Sequence, residues 1–511
     1  MSTLTDAALA RLEALVDRGR YFTDAESLSH CAIDGVAPHA GVQATTVEQV
    51  GEIVSFAAAE GLAIIPIGSG AQLGIGAPPA RYDIALKICL DRILAFDPRD
   101  LTLSVEAGIP LNSLSARLRE SRQFVPLDAH AGGSATVGGI LAMNSSGALR
   151  NAYGTARDFV LGLEFVTGEG VRTKSGGRVV KSVAGYDIHK LMIGSLGTLG
   201  IITSANFRTF PLPPVQATFI ATFQDAAGAL QLRRAIAESR LQPRALDIVS
   251  PEAARFLKHA DLSRTESLAV PELNWEEIRA ELGETRAAEY RRQHREAVAA
   301  VRKVLPRAEA AGFSETAWSL VVAAGGNDSV VERHCRELET LAAAAGALSF
   351  REAKPDDPAT APDSLDGCEE WRWIRAFPDC VLQFDPVSAI FKLAVPPAAF
   401  GATLDGAKQI ATRHELSSAA LLRAPGLIYL ALAPGNAAAG AINRLAAAGE
   451  ELFTATAQAG GTAVIEFCPA ELKRKMSVWG PPRTDLALMK NLKKEFDPRG
   501  ILSPGRFYGG I

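Results

Sequence analysis

The most constraining feature of this chain is the segment His130 to Asp158, HAGGSATVGGILAMNSSGALRNAYGTARD, whose first seventeen positions carry almost no large side chains. Two more glycine-rich segments flank it: IPIGSGAQLGIG at Ile65 to Gly76 and IGSLGTLGIIT at Ile193 to Thr203. Glycine lets backbone amides approach a ligand, so glycine clusters after strands indicate phosphate cradles. A tight turn explains any one of them, but three together favour a site for a phosphate-containing ligand.

Two common phosphate-binding motifs do not fit these segments. Gly68 to Gly74 has the wrong last spacing for the dinucleotide fingerprint, and Pro78 and Pro79 prevent a long helix from following. No G-x-x-x-x-G-K-[ST] sequence occurs. We therefore expect the ligand to lie between loops, with the N-terminus of a helix after Thr136 pointing at a diphosphate. The polar side chains expected around it are Ser69, Gln72, Ser134, Thr136, Asn144 and Ser145.

Composition limits the class of function. The chain has 511 residues, 48% of them hydrophobic, and a net charge of -4, which favours two to three folding units and argues against a nucleic-acid partner. No apolar run approaches the roughly 18 residues of a membrane-spanning helix, and the N-terminus lacks a signal-peptide pattern. We expect a cytoplasmic protein without direct membrane insertion. The six cysteines are widely spaced, so neither a metal site nor an iron-sulfur cluster is expected.

Alternating helix and strand patterns predict an α+β protein in four parts. Residues 1–35 form an N-terminal helical segment and residues 36–213 the glycine-rich domain, which ends at the proline-rich Pro211 to Pro214. Residues 214–479 form a second domain, a sheet covered by helices on one side, with a charged helical insertion near 251–371. Residues 480–511 form a C-terminal segment. No repeat of fixed period is visible.

The order of the glycine-rich motifs resembles the FAD-binding domain of the vanillyl-alcohol-oxidase-type (PCMH-type) FAD-linked oxidases. The residues that carry the resemblance are Pro66-x-Gly68-x-Gly70, Thr136-Val137-Gly138-Gly139, Asn144-x-x-Gly147, Tyr153-Gly154, Asp158 and the block GGRVVKSVAGYDIHKLMIGSLGTLGIIT. This block and the tail LMKNLKKEFDPRGILSPGRFY (488–508) are most similar to the FAD-binding subunits of glycolate oxidases.

The resemblance implies a PCMH-type FAD-binding domain over 36–213, an α+β (ferredoxin-like) cap domain over 214–479, and a tail that returns to the FAD domain. Several members attach the flavin covalently, but Ser69 to Gln72 contain no histidine and Gly132 to Gly139 no cysteine, so dissociable, non-covalent FAD is expected. The implied cofactor contacts are Pro66, Gly68, Ser69, Gly70, Ala71, Gln72, Ser134, Thr136, Gly138, Gly139, Asn144, Ser145, Gly147, Tyr153, Gly200, Ile201, Ile202 and Arg506.

The catalytic residues stay unassigned at this point, with Tyr186 and Arg423 as weak candidates. Dehydrogenation of a 2-hydroxy acid needs a cation for the carboxylate and a base for the hydroxyl proton. Tyr186 lies in the block nearest the expected flavin ring. Arg423 is able to clamp a carboxylate, although a surface salt bridge is the commoner role of such an arginine. Lys392 alternates with core-facing residues and is expected to be solvated.

Three functions fit the sequence. The first is the FAD-binding subunit of a glycolate oxidase-like 2-hydroxy acid dehydrogenase, working with a second FAD subunit and an iron-sulfur subunit, and peripheral to the inner membrane through them. The second is a self-sufficient FAD-linked oxidase or dehydrogenase of another alcohol or hydroxy acid, since the chain is longer than the short subunits it resembles. The third is a non-catalytic, flavin-binding assembly subunit.

Overall fold

The computed structural model describes residues 5–130, 132–178, 185–260, 312–353, 365–435 and 440–511. These ranges do not include the charged segment Glu276 to Val304. They also do not include Val179 to Ala184, which belong to the block GGRVVKSVAGYDIHKLMIGSLGTLGIIT.

The N-terminal part builds a four-stranded sheet in the order β1-β2-β4-β3. Three strands are parallel, and β1 is antiparallel at one edge. The helix after β2 is capped by Thr46, whose hydroxyl accepts a hydrogen bond from the Gln49 amide, and it ends at Gly61 with φ 70°. The elements are α1 (Asp6–Glu13), β1 (Tyr21–Phe22), α2 (Ala25–Ser29), β2 (Ala40–Ala44), α3 (Val47–Glu60), β3 (Ile64–Ile67) and β4 (Ile84–Ile88).

A five-stranded antiparallel sheet follows, in the order β5-β6-β10-β8-β9. Strands β8 and β9 form a hairpin around Gly168 and Gly170. The elements are β5 (Ile93–Asp97), β6 (Thr102–Glu106), α4 (Leu111–Arg119), β7 (Gln123–Phe124), α5 (Val137–Met143), α6 (Arg150–Tyr153), α7 (Ala156–Phe159), β8 (Val160–Val166), β9 (Arg172–Gly176), α8 (Ile188–Met192), β10 (Ile201–Arg208) and β11 (Phe210–Pro211).

The cap is an eight-stranded antiparallel sheet in the order β15-β12-β14-β13-β17-β18-β16-β19. Its strands are β12 (Val215–Phe223), β13 (Ala245–Val249), β14 (Trp318–Gly326), β15 (Ser349–Ala353), β16 (Ala389–Ala394), β17 (Ser417–Arg423), β18 (Leu427–Ala433) and β19 (Thr462–Phe467). The helices from here to the C-terminus are α9 (Ala226–Glu238), α10 (Pro251–His259), α11 (Asp328–Ala344), α12 (Glu369–Arg375), α13 (Phe377–Phe384), α14 (Phe400–Arg413), α15 (Ala441–Gln458), α16 (Ala470–Lys475) and α17 (Leu486–Phe496).

The cap is a structural duplication that the sequence does not show. The second half has the strand and helix order βαββαβ, and the first half has the same order with α10 added between β13 and β14. When the four strands are numbered within each half, they lie in the order 4-1-3-2. This pattern confirms the ferredoxin-like expectation. The halves join edge to edge where β13 pairs with β17. Because β14, α11 and β15 are part of the first half, the stretch near 251–371 is not simply an insertion.

The expectation that helices cover only one face of the cap sheet is wrong. One face packs against α9, α11, α14 and α15, which form a large apolar core with it. The other face packs against α10, α12 and α13 and also against residues of the glycine-rich domain, including Leu149. Both faces are therefore buried, because the second domain and the first domain share an interface along the sheet.

The C-terminal tail returns to the first domain, as the resemblance implies. The Ile64 amide donates to the Ile501 carbonyl, and the Ser503 amide donates to the Ile64 carbonyl, each at 2.8 Å. The tail therefore adds a short parallel bridge beside β3. Asp497 is buried there and accepts hydrogen bonds from Lys493 Nζ at 2.6 Å and from the Leu502 amide at 2.8 Å.

None of the described helices is both long and apolar enough to cross a membrane.

We predict that Asp497→Asn lowers the free energy of unfolding by about 3 to 5 kcal/mol, because it leaves the Lys493 ammonium buried without its carboxylate. The measurement is the urea dependence of unfolding. Asp485→Asn is the matched control: Asp485 pairs with Arg483 at 2.8 Å, but both side chains are exposed, so its effect should stay within about 0.5 kcal/mol. Equal effects of the two substitutions would contradict the prediction.

Candidate functional site

Two cavities adjoin at the boundary between the glycine-rich domain and the cap. The first, here the loop cavity, is lined by the first two glycine-rich segments together with Leu196, Gly197 and Arg506. The second, here the ion-pair cavity, lies between the glycine-rich domain and the cap sheet. Gln72 and Met143 line both cavities, so one elongated ligand is able to occupy both.

The first glycine-rich loop offers free backbone donors to the loop cavity. No described residue accepts a hydrogen bond from the amides of Ser69, Gly70, Ala71 or Gln72. Gly70 has φ +81°, a conformation that side-chain-bearing residues rarely adopt. Successive unpaired amides in such a turn form an anion-binding concavity. The loop therefore fits the diphosphate of a dinucleotide without needing a lysine or arginine.

The loop cavity requires glycine at two positions, because the segments that line it pack closely against each other there. A Cβ on Gly68 would lie 2.0 Å from Thr136 Oγ1, and a Cβ on Gly197 would lie 2.7 Å from Pro66 Cγ. Both distances are shorter than any real carbon contact. The first loop, the segment that starts α5 and the third glycine-rich segment are thus in direct contact around one space.

The expected role of the α5 N-terminus is corrected by its hydrogen bonds. The Val137 and Gly138 amides donate to the carbonyls of Ile109 and Ala107 at 3.0 and 2.6 Å, and the Gly139 amide donates to Thr136 Oγ1 at 3.3 Å. The first amides of this short helix are therefore satisfied within the protein. They are not available to a diphosphate, and the donors of the first loop take that place.

Arg506 shapes the loop cavity from the far end of the chain. It is 4% exposed, and its guanidinium donates to the carbonyls of Leu73 and Ile75, each at 2.6 Å, and of Ala77 at 3.0 Å. Burial lowers its pKa to about 10. Lys473 of the cap approaches the same loop and donates to the Gly74 carbonyl. Both side chains hold the loop carbonyls and so fix the course of its backbone.

The ion-pair cavity contains four cationic side chains, and each has a carboxylate partner. Arg423 pairs with Asp247 at 2.8 Å, and Lys392 pairs with Glu466 at 2.7 Å. The other two pairs are Arg375 with Asp128 at 3.0 Å and His130 with Asp379 at 3.3 Å. Paired in this way, opposite charges tolerate burial.

Two of these pairs overturn expectations from the sequence. Arg423 is 6% exposed and forms a buried ion pair, not a surface one. Lys392 faces the cavity instead of bulk solvent, because the sheet is covered on both faces. Burial lowers the pKa of each cation, but the partner carboxylate outweighs burial and raises both pKa values above their usual range. Tyr429 lies near both, its ring centroid 5.7 Å from Lys392 Nζ and 5.2 Å from Arg423 Cζ.

His130 connects the glycine-rich domain with the cap. Its Nδ1 contacts the Arg375 carbonyl at 3.0 Å, and its Nε2 lies 3.3 Å from Asp379 Oδ1. Burial lowers the pKa of His130, but the hydrogen bond and charge of Asp379 and the Arg375 carbonyl raise it overall. Both ring nitrogens face acceptors, which suits the doubly protonated form.

Glu466 is a carboxylate with a free oxygen in the ion-pair cavity. Its Oε1 accepts a hydrogen bond from Lys392 Nζ at 2.7 Å, and no described residue donates to its Oε2. Asp247, by contrast, is bound through both oxygens by Arg423. Asp128 accepts from Arg375 through Oδ1 and from the Leu149 amide through Oδ2. Glu466 is therefore the lining carboxylate best able to accept a proton.

The structure brings many of the predicted cofactor residues together. The loop cavity is lined by Pro66, Gly68, Ser69, Gly70, Ala71, Gln72, Thr136, Gly139 and Arg506. The ion-pair cavity is lined by Gln72, Ser145, Gly147 and Arg423. Gln72 Nε2 donates to Ser145 Oγ at 3.1 Å, which links the first two glycine-rich segments where the cavities meet.

Other predicted residues lie outside both cavities. Gly138 packs on Ala107, Asn144 lines a surface groove, and Ser134 ends a short 3-10 turn. Tyr153 packs edge-on against two phenylalanine rings. Gly200, Ile201 and Ile202 lie at the start of β10, where both isoleucines are core residues; Leu196 and Gly197 line the cavity instead. Tyr186 is 90% exposed and lines neither cavity.

Several residues of the ion-pair cavity were missed in the sequence. Asp128, His130, Arg375, Tyr429 and Glu466 come from five different segments. The sequence offered one signal for such residues, a charged side chain inside an apolar strand, as at Asp247 in ALDIV and Glu466 in TAVIEF. A charge of this kind does not indicate which strands lie next to each other in the sheet.

Comparisons with known proteins agree with this architecture. A family model described as the FAD binding domain matches residues 38–176, and one described as the C-terminal domain of FAD linked oxidases matches residues 212–507. Glycolate oxidase subunit GlcD of Bacillus subtilis is 25% identical over 473 residues, 92% of this chain and 89% of that protein.

Two further relatives are matched over less than half of their own length. Glycolate oxidase subunit GlcE of Escherichia coli is 35% identical over 167 residues, 32% of this chain and 46% of that protein. A D-2-hydroxyglutarate dehydrogenase of Xanthomonas citri is 36% identical over 225 residues, 43% of this chain and 48% of that protein.

A solved structure of p-cresol methylhydroxylase with bound substrate superimposes with a TM-score of 0.71 at 18% identity, covering 98% of this chain and 96% of that one. These matches confirm the resemblance of the fold to PCMH-type oxidases and confirm FAD as the cofactor.

We predict that Gly68→Ala raises the dissociation constant for FAD at least about tenfold, because the added methyl group collides with Thr136 and displaces the first loop. The measurement is a titration of the apoprotein by flavin fluorescence. Gly74→Ala is the control in the same loop, since no atom lies within 4 Å of its Cβ position. If both variants bind FAD equally well, the assigned cradle is wrong.

We predict that His130 makes folding stability depend on pH. Its pKa is raised in the folded protein, so its contribution is complete below the unfolded value of about 6.5 and is lost as the pH rises through the folded pKa. The stability difference between the protein and its His130→Gln variant should shrink from about pH 6 to about pH 8.5. Urea unfolding at both pH values measures it. The control is His39→Gln, because the His39 side chain is 64% exposed.

Proposed function

Because this chain belongs to the FAD-linked oxidases, we propose that it dehydrogenates a 2-hydroxy acid where its two cavities meet. It is a FAD-dependent oxidoreductase acting on CH-OH groups. The observation that carries the proposal is the adjacency of an amide-lined cavity and a cavity with paired charges, joined at Gln72 and Met143. A dinucleotide held by its diphosphate in the first would extend its ring into the second.

The residues assigned to FAD are those of the loop cavity. The amides of Ser69 to Gln72 would hold the diphosphate, and the Gln72 and Ser145 side chains would lie beside the flavin ring. When bound, FAD supplies the acceptor for the hydride that leaves the substrate carbon. Non-covalent binding follows from a first loop with neither histidine nor cysteine.

Arg423 and Lys392 are assigned to the substrate carboxylate. Arg423 uses Nε and Nη2 on Asp247, while Nη1 points to the Ser146 carbonyl at 3.4 Å, next to the cavity. Lys392 uses one of its three donors on Glu466. Both cations therefore retain hydrogen-bonding capacity for a carboxylate, and charge-assisted bonds of this kind are strong.

Glu466 is assigned to the hydroxyl proton. Its Oε2 would accept the proton of the substrate hydroxyl while the CH-OH group is oxidised to a carbonyl group, with bound FAD supplying the hydride acceptor. Lys392, held at Oε1, keeps the carboxylate in one orientation.

The proposal extends to a multi-subunit enzyme, since two relatives are subunits of glycolate oxidase. The partners proposed are a second FAD subunit and an iron-sulfur subunit, with the assembly in the cytoplasm and at the inner membrane through those partners. The alternative is a self-sufficient dehydrogenase. A pull-down of the tagged chain from its native host separates the two: a co-purified iron-sulfur protein supports the assembly, and full activity with a dye acceptor in its absence supports the alternative.

The central experiment is anaerobic titration of the purified, FAD-loaded chain with a panel of 2-hydroxy acids, followed by the loss of the oxidised flavin absorbance. Bleaching by at least one acid, with formation of the matching 2-keto acid, supports the proposal. A flavin that dithionite reduces but no hydroxy acid reduces, in the presence of the partner subunits as well, would reject it.

We predict that Glu466→Gln slows flavin reduction at least about 100-fold, because the amide keeps the shape and the contact with Lys392 but no longer accepts a proton. Stopped-flow absorbance gives the rate. Glu471→Gln is the control, since that side chain is 64% exposed. An unchanged rate in Glu466→Gln would exclude Glu466 as the base.

A further inference from the structure

We infer that the hydroxyl group of Tyr429 donates a hydrogen bond to the carboxylate of the substrate, between Lys392 and Arg423. The inference rests on the proposed function and adds a third carboxylate-binding side chain to the two cations assigned there. It starts from a buried tyrosine hydroxyl to which the described residues offer no partner.

The buried tyrosines of the described residues differ in what their hydroxyl groups contact. They are Tyr82, Tyr429 and Tyr508, with exposures of 3%, 6% and 6%. The Tyr82 hydroxyl donates to the Cys31 carbonyl at 3.0 Å. The Tyr508 hydroxyl donates to the Pro481 carbonyl at 2.6 Å. No described residue forms a hydrogen bond with the Tyr429 hydroxyl. Because a buried tyrosine hydroxyl usually has a partner, this exception calls for a ligand or another explanation.

The Tyr429 hydroxyl is accessible to a ligand. Tyr429 lines the ion-pair cavity. Its oxygen is not one of the unpaired polar atoms that are sealed inside the described part of the protein, so it keeps some open surface. A phenol hydroxyl is both a donor and an acceptor. A ligand in the cavity is therefore able to supply the partner that the protein does not.

The strand register places Tyr429 between the two cations. It lies in β18, opposite Lys392 of β16 on one side and opposite Leu421 of β17 on the other. Residues opposite each other share a face of the sheet, and so do residues two apart in one strand. Arg423 is two residues beyond Leu421 and thus shares this face. The ring centroid of Tyr429 is 5.7 Å from Lys392 Nζ and 5.2 Å from Arg423 Cζ.

The order of charges across the sheet makes Tyr429 the centre of an anion site. The neighbouring strands β13, β17, β18, β16 and β19 carry, in that order, Asp247, Arg423, Tyr429, Lys392 and Glu466. Carboxylates thus stand at both ends of the row, each two strands away from the tyrosine, or roughly 10 Å. A substrate carboxylate at the centre would have a cation on either side and the strand carboxylates at the greatest distance.

The same row separates the carboxylate of the substrate from its hydroxyl group. Glu466, which is assigned to the hydroxyl proton, lies in the edge strand β19, beyond Lys392. Tyr429 lies on the other side of Lys392, toward Arg423. We therefore assign the Tyr429 hydroxyl to the carboxylate and not to the reacting CH-OH group.

The first test is the dissociation constant of propionate for the FAD-loaded chain, measured by isothermal titration calorimetry. Propionate has the carboxylate of lactate but lacks its hydroxyl group, so it reports on the carboxylate site alone. Tyr429→Phe should raise this constant at least about tenfold, because a hydrogen bond to a charged group contributes that much or more. An unchanged constant in the variant, or no propionate binding by the unmodified protein, would overturn the inference.

Tyr508→Phe is the matched control. Tyr508 is as buried as Tyr429 but lines neither cavity, so its variant should bind propionate like the unmodified protein. Tyr429→Phe removes a hydroxyl that bonds to no described residue, so we expect its urea unfolding midpoint and FAD content to stay unchanged. A lowered midpoint together with unchanged propionate binding would assign the hydroxyl a structural role and reject the inference.

The kinetics of flavin reduction distinguish the carboxylate from the hydroxyl group as the bound group. A contact with the carboxylate exists before and during the reaction, so Tyr429→Phe should raise KM for the hydroxy acid about as much as it raises the dissociation constant of propionate. The limiting rate of flavin reduction should stay within about twofold. A fall in that rate with KM unchanged would place Tyr429 at the reacting group and overturn the inference.

Propionate binding also separates this inference from the proposed function. If no hydroxy acid reduces the flavin while Tyr429→Phe still weakens propionate binding, the proposed function is wrong and the carboxylate site stands. If hydroxy acids reduce the flavin and the variant binds propionate as well as the unmodified protein does, the function stands and the inference fails.

Discussion

The buried ion pair between Arg423 and Asp247 is the interaction on which this architecture depends. It lies at the junction of β13 and β17, where the two ferredoxin-like halves of the cap become one sheet. Its charged atoms are almost completely removed from water, with side-chain exposures of 7% and 0%. Such a pair is tolerated only when its geometry is good, because desolvation of two ions costs several kcal/mol each. Here Arg423 binds both oxygens of Asp247 and also donates to the Ser146 carbonyl of the second glycine-rich segment.

Arg423 therefore contacts three parts of the structure: the junction of β13 and β17, the ion-pair cavity that it lines, and the glycine-rich domain. His130 and Arg375 make a second connection on the opposite side, where Asp128 also receives the Leu149 amide. The cavity lies between two polar connections that fix the separation of the domains.

The cradle for the diphosphate depends on distant parts of the chain in the same way. Its first loop is held by Arg506 from the C-terminal tail and by Lys473 from the cap, both through backbone carbonyls. The tail is fixed in turn by the buried Lys493 and Asp497 pair. The amides of Ser69 to Gln72 have no acceptor among the described residues, so they are available to a ligand in the loop cavity. The cationic side chains instead bind the carbonyls of the residues that follow.

The sequence by itself determined the elements and most of the cradle, because these depend on local rules, and the order of its motifs indicated the cofactor class through a family resemblance. Strand and helix periods follow from which faces are apolar, and the glycines at 68 and 197 are required wherever loop backbones touch. Only the tertiary structure decided the rest. The duplication of the cap, the burial of Arg423 and Lys392, and the exposure of Tyr186 follow from which strands pair and which faces are covered. Contacts between segments hundreds of residues apart leave almost no trace in local pattern, since an isolated charge in an apolar strand looks the same whether its partner is water or a carboxylate.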